Sequence, residues 1–341
     1  SRPPSPFASP GPSPAMVRDG DRSRSPPANG ALGHAGFCPP RGGSVEDDVL
    51  AAHKLREGYE APKQSLFRVA ALLRFVRPDG TGGAIGAVNA EPHDANIRGA
   101  ICAERAALCQ FQRQEAAAGA RVTRVVCVTD HASPIFPGPL CREFLTATCA
   151  PDVEVVASGT ADPKLASVRS LRELLPLPSV YRRRDQSSMK ALGATLGAKA
   201  RPPADADLRA AYEAAAACAR QQGAQTAVFP VVFAAAARFA DGRVHAVAEL
   251  KGIEYGCTVD AATLLMPELI RARKEGGPKA MCVVQADQFG LAHAPFAAAR
   301  SLLVEHGFGD VLLCGHGDDG EWAAAITAQE SLPHADFVQI F

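Results

Sequence analysis

No apolar run in the sequence approaches the roughly 18 residues that a membrane-spanning helix needs, and no apolar signal-peptide core lies near its first residue. Surplus charge is missing too, since 36 Lys and Arg stand against 36 Asp and Glu. That balance argues against a broad electrostatic footprint for nucleic acid or an anionic membrane, either of which calls for a basic excess. Ten cysteines are scattered without the compact spacing of a disulfide framework, and a chain of 341 residues does not need such staples. These absences leave a reduced, cytoplasmic protein as the expectation. What is present suits a globular core: 47% of residues are hydrophobic and 21% charged. The length suggests two domains or one large one.

Residues 1–43 are dominated by Pro, Ser, Gly and Arg and carry no apolar period of a helix or strand. They read as a disordered leader, because such a segment cannot offset its ordering entropy by burial. The first residue is not Met, which makes Met16 a candidate initiator. The Arg/Ser-rich start also resembles an organelle-import peptide, against which Asp19 and Asp21 count. Order is expected from Ser44, where acids in a first turn precede Leu50 and Leu55. Strands are then expected over 66–76 and 85–90, a helix over 102–118, a strand over 122–129, a helix over 140–148 and a strand over 153–157. That order, β-β-α-β-α-β, is an α/β layer design. Residues 178–206 are polar, basic and broken by Pro and Gly, the composition of a linker.

Beyond residue 206 the pattern starts again. Asp79-Gly80 is echoed by Asp241-Gly242, Ala90-Glu91 by Ala248-Glu249, and Phe67-Arg68-Val69 by Phe229-Pro230-Val231. Ile101-Cys102-Ala103-Glu104 lines up with Val259-Asp260-Ala261-Ala262, and Pro137 through Arg142 with Pro295 through Arg300. Ordered echoes at a nearly constant offset indicate two copies of one domain. Their chemistry differs: where the first copy has Cys102, Glu104 and Cys141, the second has Asp260, Ala262 and Ala299. Any catalysis is expected in the first copy.

Cys102-Ala103-Glu104, followed by Pro137 through Cys141-Arg142, resembles the signature of the cytidine deaminase family of zinc hydrolases. The resemblance extends over both copies, as in members whose catalytic domain is followed by a degenerate one. It implies a three-layer α/β/α cytidine-deaminase-like sandwich with a mixed sheet in two tandem copies. The domains would be a catalytic one over 44–177, the linker over 178–206 and a degenerate one over 207–341. It further implies Zn2+ held by Cys102 and Cys141, Glu104 as the catalytic proton carrier, and a homodimer. Asn89-Ala90-Glu91 matches the family's sugar-holding Asn-x-Glu, Phe67 its residue beside the pyrimidine, and Ala103 completes the substrate-contacting set. Arg105 matches the family's variant in which a guanidinium offsets thiolate charge. Independently of resemblance, a catalytic zinc needs three protein ligands and an open position for water. Thiols at helix N-termini are also the ones most readily ionised.

One position departs from the pattern. Gly138 occupies the place of the first cysteine in Pro-Cys-x-x-Cys. Substitutes for the missing ligand are His131, in the loop before Pro137, and Cys109 and Cys127. Cys109 lies two helical turns past Cys102 and Cys127 falls in a strand among valines, so His131 is preferred. Two functions follow. One is deamination of cytidine or deoxycytidine to uridine or deoxyuridine, a pyrimidine-salvage reaction. The other is a catalytically inactive, deaminase-like binding or assembly subunit. Polynucleotide editing is disfavoured by the neutral charge.

Overall fold

The computed structural model describes residues 43–92, 99–222, 230–252 and 255–335. The expected leader, Gly43 aside, lies outside the described residues, as does Phe229. Helix α1 (Val45–Glu57) starts at a reciprocal cap, in which the Ser44 hydroxyl accepts from Asp47 N–H and the Asp47 carboxylate from Ser44 N–H. Strands β1 (Val69–Val76) and β2 (Gly82–Val88) form a hairpin whose turn places Gly80 at a φ of 81°, a conformation that suits glycine. Next come α2 (Ala103–Gln114), β3 (Arg121–Thr129), α3 (Pro139–Thr146), β4 (Glu154–Ser158), β5 (Ala166–Ser170) and the short α4 (Leu171–Leu174).

The first sheet runs β2-β1-β3-β4-β5, with β3 and β4 parallel and the other neighbours antiparallel. On one face, Val49, Ala52 and Leu55 of α1 pack on Leu72, Val126 and Val156. On the other, Leu108 and Phe111 of α2 and Leu145 of α3 pack on Leu73, Val125 and Val155. Side chains of this kind each contribute about 1.5–3 kcal/mol on full burial. The outcome is the expected α/β/α layering around a mixed sheet.

The stretch read as a linker holds a helix, α5 (Gln186–Gly197), whose start Asp185 caps through Ser188 N–H. Met189, Leu192 and Leu196 share one face of it and pack with Tyr181, Val231 and Leu291. Then follow α6 (Ala206–Gln221), β6 (Phe233–Phe239), β7 (Val244–Ala248), α7 (Ala261–Lys274), β8 (Ala280–Asp287), β9 (Ala292–His293), α8 (Ala297–Glu305), β10 (Leu312–Leu313) and β11 (Ile326–Thr327). The second sheet runs β7-β6-β8-β10-β11, again with its third and fourth strands parallel, and β9 pairs with β8. Helix α6 covers one face, and α7 and α8 the other. Each central antiparallel pair carries a register shift at an equivalent place, Arg74/Phe75 and Arg238/Phe239. Among the described residues, no helix is long and apolar enough to cross a membrane.

The two ladders correct the residue matching drawn from short sequence echoes. Asn89 N–H donates to Val69 C=O, and the equivalent bond runs from Glu249 to Phe233. Asn89 therefore corresponds to Glu249, Glu91 to Lys251, and Phe67 to Val231. The bridge Ala90–Ile101 recurs as Leu250–Val259, so the strand-to-helix connection is two residues shorter in the second lobe. In alanine-rich strands, dipeptide identities recur by chance, whereas hydrogen-bonded register admits one answer. From Cys102 and Asp260 onward, both of them N-caps, the sequence matching and the structural matching agree.

Two buried arginines hold the lobes together by exchanging partners. Arg142, 0% exposed, donates to the carbonyls of Pro137 and Leu174 in its own lobe and of Pro333 and His334 in the other. Arg300, 2% exposed, donates to Pro295 and Ser331 in its own lobe and to Pro176 and Leu177 across the boundary. Leu177 and His334 both adopt positive φ, 51° and 55°, which turns their carbonyls toward the arginine of the opposite lobe. The arrangement is a local two-fold inside one chain. Burial pulls the Arg300 pKa down to about 10, so the ion remains charged at neutral pH.

Candidate active site

The site is built on two helix N-termini that meet beside the first sheet. Cys102 is the N-cap of α2 and makes no side-chain capping bond. Gly138 is the N-cap of α3, Pro139 fills the first helical position, where no N–H is needed, and Cys141 follows in the first turn. Cys102 Sγ, a Glu104 carboxylate oxygen and Cys141 Sγ lie within 4.8 Å of one another. Among the described residues, no other group of three or more such donors converges in this way.

Glu104 is 3% exposed. Its Oε1 accepts a long bond from the Cys127 thiol, 3.7 Å, and its Oε2 has no hydrogen-bond partner. Burial, and then the charge of Cys102, push its pKa up to about 7. A hydrogen bond from the Cys141 thiol pulls Cys102 down to about 6, with help from Arg105, whose guanidinium lies 3.6 Å from the sulfur. Cys141 moves the opposite way, because sharing that bond and burial both favour its thiol. Burial also holds Cys127 well up. The pair is thus asymmetric, one sulfur poised as thiolate and the other as thiol donor.

The donor set fits a divalent metal of zinc's preferences: two sulfurs, a carboxylate with an orphaned oxygen and a nearby cation to moderate charge. None of the substitutes for the missing cysteine is in the group. His131 does not join the group; its Nδ1 is engaged with Ser133 N–H at 3.1 Å. Cys109 is exposed, on the outer side of α2. The third donor of the group is Glu104, which the sequence reading takes as the proton carrier. A Cβ built at Gly138 would meet nothing within 4 Å, so the place of the absent thiol is open space.

Cys127, which the sequence reading sets aside as a substitute ligand, touches the group through Glu104. Strand alternation carried the signal, since Val125 packs on α2 and α3 and Cys127 points to the same face two residues later. Ala103 is fully buried behind the cluster. The bridge between Ala90 and Ile101 brings Asn89 and Glu91 alongside the start of α2. Asn89 uses its side chain on the backbone, accepting from Val69 N–H at 2.8 Å and from the Tyr59 hydroxyl, and donating to Phe67 C=O at 2.9 Å. Glu91 accepts from Ser65 N–H at 3.0 Å and Ser65 Oγ at 2.6 Å. Phe67 is half-buried on the segment that Asn89 and Ser65 hold in place.

No protein-family model matches the chain, and no curated protein matches it. Solved structures do. The chain is similar to a cytidine deaminase from Burkholderia pseudomallei, at 29% identity and a TM-score of 0.34 over 40% of this chain and 100% of that one. It is similar to a cytidine deaminase from Mycobacterium leprae, at 21% identity and a TM-score of 0.30 over 38% of this chain and 99% of that one. A cytidine deaminase from Mycobacterium tuberculosis matches at 25% identity and a TM-score of 0.27 over 32% of this chain and 84% of that one.

Proposed function

We propose that the first lobe is a zinc-dependent hydrolase that exchanges the ring amino group of cytidine or deoxycytidine for oxygen, consuming water and releasing ammonia. The observation that carries this reading is the convergence of Cys102, Glu104 and Cys141, with a buried carboxylate oxygen left without a partner. Cys102 and Cys141 would hold the metal, which when bound supplies a water acidic enough to ionise near neutral pH. Glu104, with a pKa near 7, can take up a proton and give it back at neutral pH without a large penalty in either direction. Arg105 keeps the negative charge of the sulfurs compensated. Glu91 at the strand end presents a carboxylate suited to sugar hydroxyls, Asn89 fixes the segment that carries Phe67, and Phe67 presents a ring suited to the pyrimidine. Association into a homodimer belongs to the same reading.

A second reading, a binding or assembly subunit without turnover, is favoured by Gly138, which leaves the metal one sulfur short. The loss of cytidine's ultraviolet absorbance on adding the purified chain with zinc separates the two. Turnover that disappears in Glu104→Ala, with the fold retained by circular dichroism, is the expected result, a loss of at least about a hundredfold. Turnover near wild type in that variant overturns the mechanism. A folded wild type that is silent supports the second reading.

A further inference from the structure

A cavity of about 770 Å3 lies where the second lobe's counterpart of the site faces the first lobe. Phe233, Asp260 and Phe296 of the second lobe border it, opposite Leu140, Glu143 and Phe144 on α3. Asp260 holds the N-cap place that Cys102 holds in the first lobe, and Phe296 the place of Gly138. With Ala262 and Ala299 in place of Glu104 and Cys141, the donors for a metal are gone. The space has become an aromatic enclosure: Phe233 meets Phe296 edge-to-face at 5.2 Å. Its volume falls within the ~300–1,000 Å3 of small-molecule sites and accommodates a bicyclic ring with a sugar.

Polar groups at the rim are unevenly satisfied. Arg182 pairs with Asp318 at 2.6 Å, Lys251 with Glu249 at 2.5 Å, and Arg105 donates to Ala100 C=O at 3.1 Å. Among the described residues, the Glu143 carboxylate receives only the Ala297 N–H, at 3.3 Å from each oxygen. Arg300, whose charge reaches it, spends its N–H groups on carbonyls. Burial accordingly raises the Glu143 pKa, and the neighbouring Asp260 adds to the rise. An enclosed carboxyl with spare acceptor capacity, beside aromatic faces, calls for a flat ring that carries N–H donors.

We propose that this interlobe cavity binds an aminopurine, as free base or nucleoside, with its ring against Phe233 and its amino group donating to Glu143. Lacking metal donors, the site binds without turnover, whether or not the first lobe is a deaminase. The test is isothermal titration of the full chain with adenosine, and with inosine, which places a carbonyl where adenosine has its amino group. Adenosine is expected to bind at one site per chain, and inosine about tenfold more weakly or less tightly still. Glu143→Gln is expected to weaken adenosine about tenfold. Ala298→Trp, which fills the cavity from α8, is expected to abolish binding, and Cys109→Ser, an exposed change on α2 away from the cavity, to leave it unchanged. No saturable adenosine binding up to about 5 mM, or equal affinity for the two nucleosides, overturns the proposal. So does binding that survives in folded Ala298→Trp or is lost in Cys109→Ser. Should Ala298→Trp not fold, Thr258→Trp fills the same cavity from the segment before α7 and is read in the same way.

Discussion

The two lobes share strand order, strand direction and even the position of a register shift, yet they treat equivalent helix N-termini in opposite ways. In the second lobe Asp260 caps α7 by accepting from Thr263 N–H at 2.9 Å. In the first, Cys102 occupies the same position and leaves the cap unmade. Glu104 is a buried acid with an orphaned oxygen, while Ala262 in its place is apolar and packed. The first lobe thus carries polar strain that the second has shed, which is expected where a site rather than the fold dictates the residue. The second lobe did not shed all of it. Gln285, the counterpart of Cys127, is fully buried, and both atoms of its amide lack partners.

The largest expected effect removes what the lobes share. Arg142→Met leaves four carbonyls without their donor, two in buried bonds and two in part-buried ones, a cost of about 2–4 kcal/mol at a modest desolvation penalty for each. Arg300→Met should cost a similar amount, because the exchange is reciprocal. Urea unfolding midpoints measure both. A loss below about 1 kcal/mol in either variant would break the two-fold picture.

Gly138→Cys sharpens the contrast at the proposed metal site. The N-cap backbone, φ −62° and ψ 161°, suits any residue, and the added side chain enters open space. A third thiolate is expected to raise zinc affinity at least about a hundredfold, since ligands matter no less than the outer-shell partners worth 10–100-fold. Competition against a chromophoric chelator reads this directly. An unchanged affinity would mean that the carboxylate of Glu104 already closes the set as effectively as a sulfur does.

Much of this frame is legible in the order of residues alone. Apolar periods place β1, β3 and α2 to within a few residues, because long β-branched or Ala/Leu-rich runs have few competing conformations. The pairing of Cys102 with Cys141 needs two distant helix starts to meet, and only a motif, not periodicity, hints at it. Other features depend on tertiary context and escape a reading by pattern. Strand β5 is short and only partly buried, α5 draws its stability from Tyr181 and Leu291, and Cys127 matters only because Glu104 lies over it. The matching of Asn89 to Glu249 requires hydrogen-bonded register, which alanine-rich sequence does not encode locally.

Acid should separate the lobes next. His316 is buried, its Nδ1 accepts from Ala292 N–H at 2.8 Å, and burial followed by the charge of His293 drags its pKa from 6.5 to about 4. At the equivalent position the first lobe has Ser158, bonded to His53 of α1, which burial also shifts downward. A histidine kept neutral by the fold contributes stability that is complete above 6.5 and is lost as pH falls from there to about 4, because the unfolded chain binds the proton first. Unfolding free energies should therefore fall between about pH 7 and pH 4.5 by about 2 kcal/mol on account of His316. His316→Asn should flatten that slope, and an unaltered slope would assign the acid sensitivity to other groups.

The smallest effect bears most directly on why the lobes diverged. Asp260→Ala removes a working cap and should cost about 1 kcal/mol. Cys102→Ala, measured without metal, removes no capping bond, and relieves a half-buried sulfur that ionises readily, so its stability should change by less than about 0.5 kcal/mol. A cost for Cys102→Ala equal to that for Asp260→Ala would show that the cysteine supports the helix as the aspartate does. The difference between the lobes would then be one of sequence drift rather than of a fold position held open for chemistry.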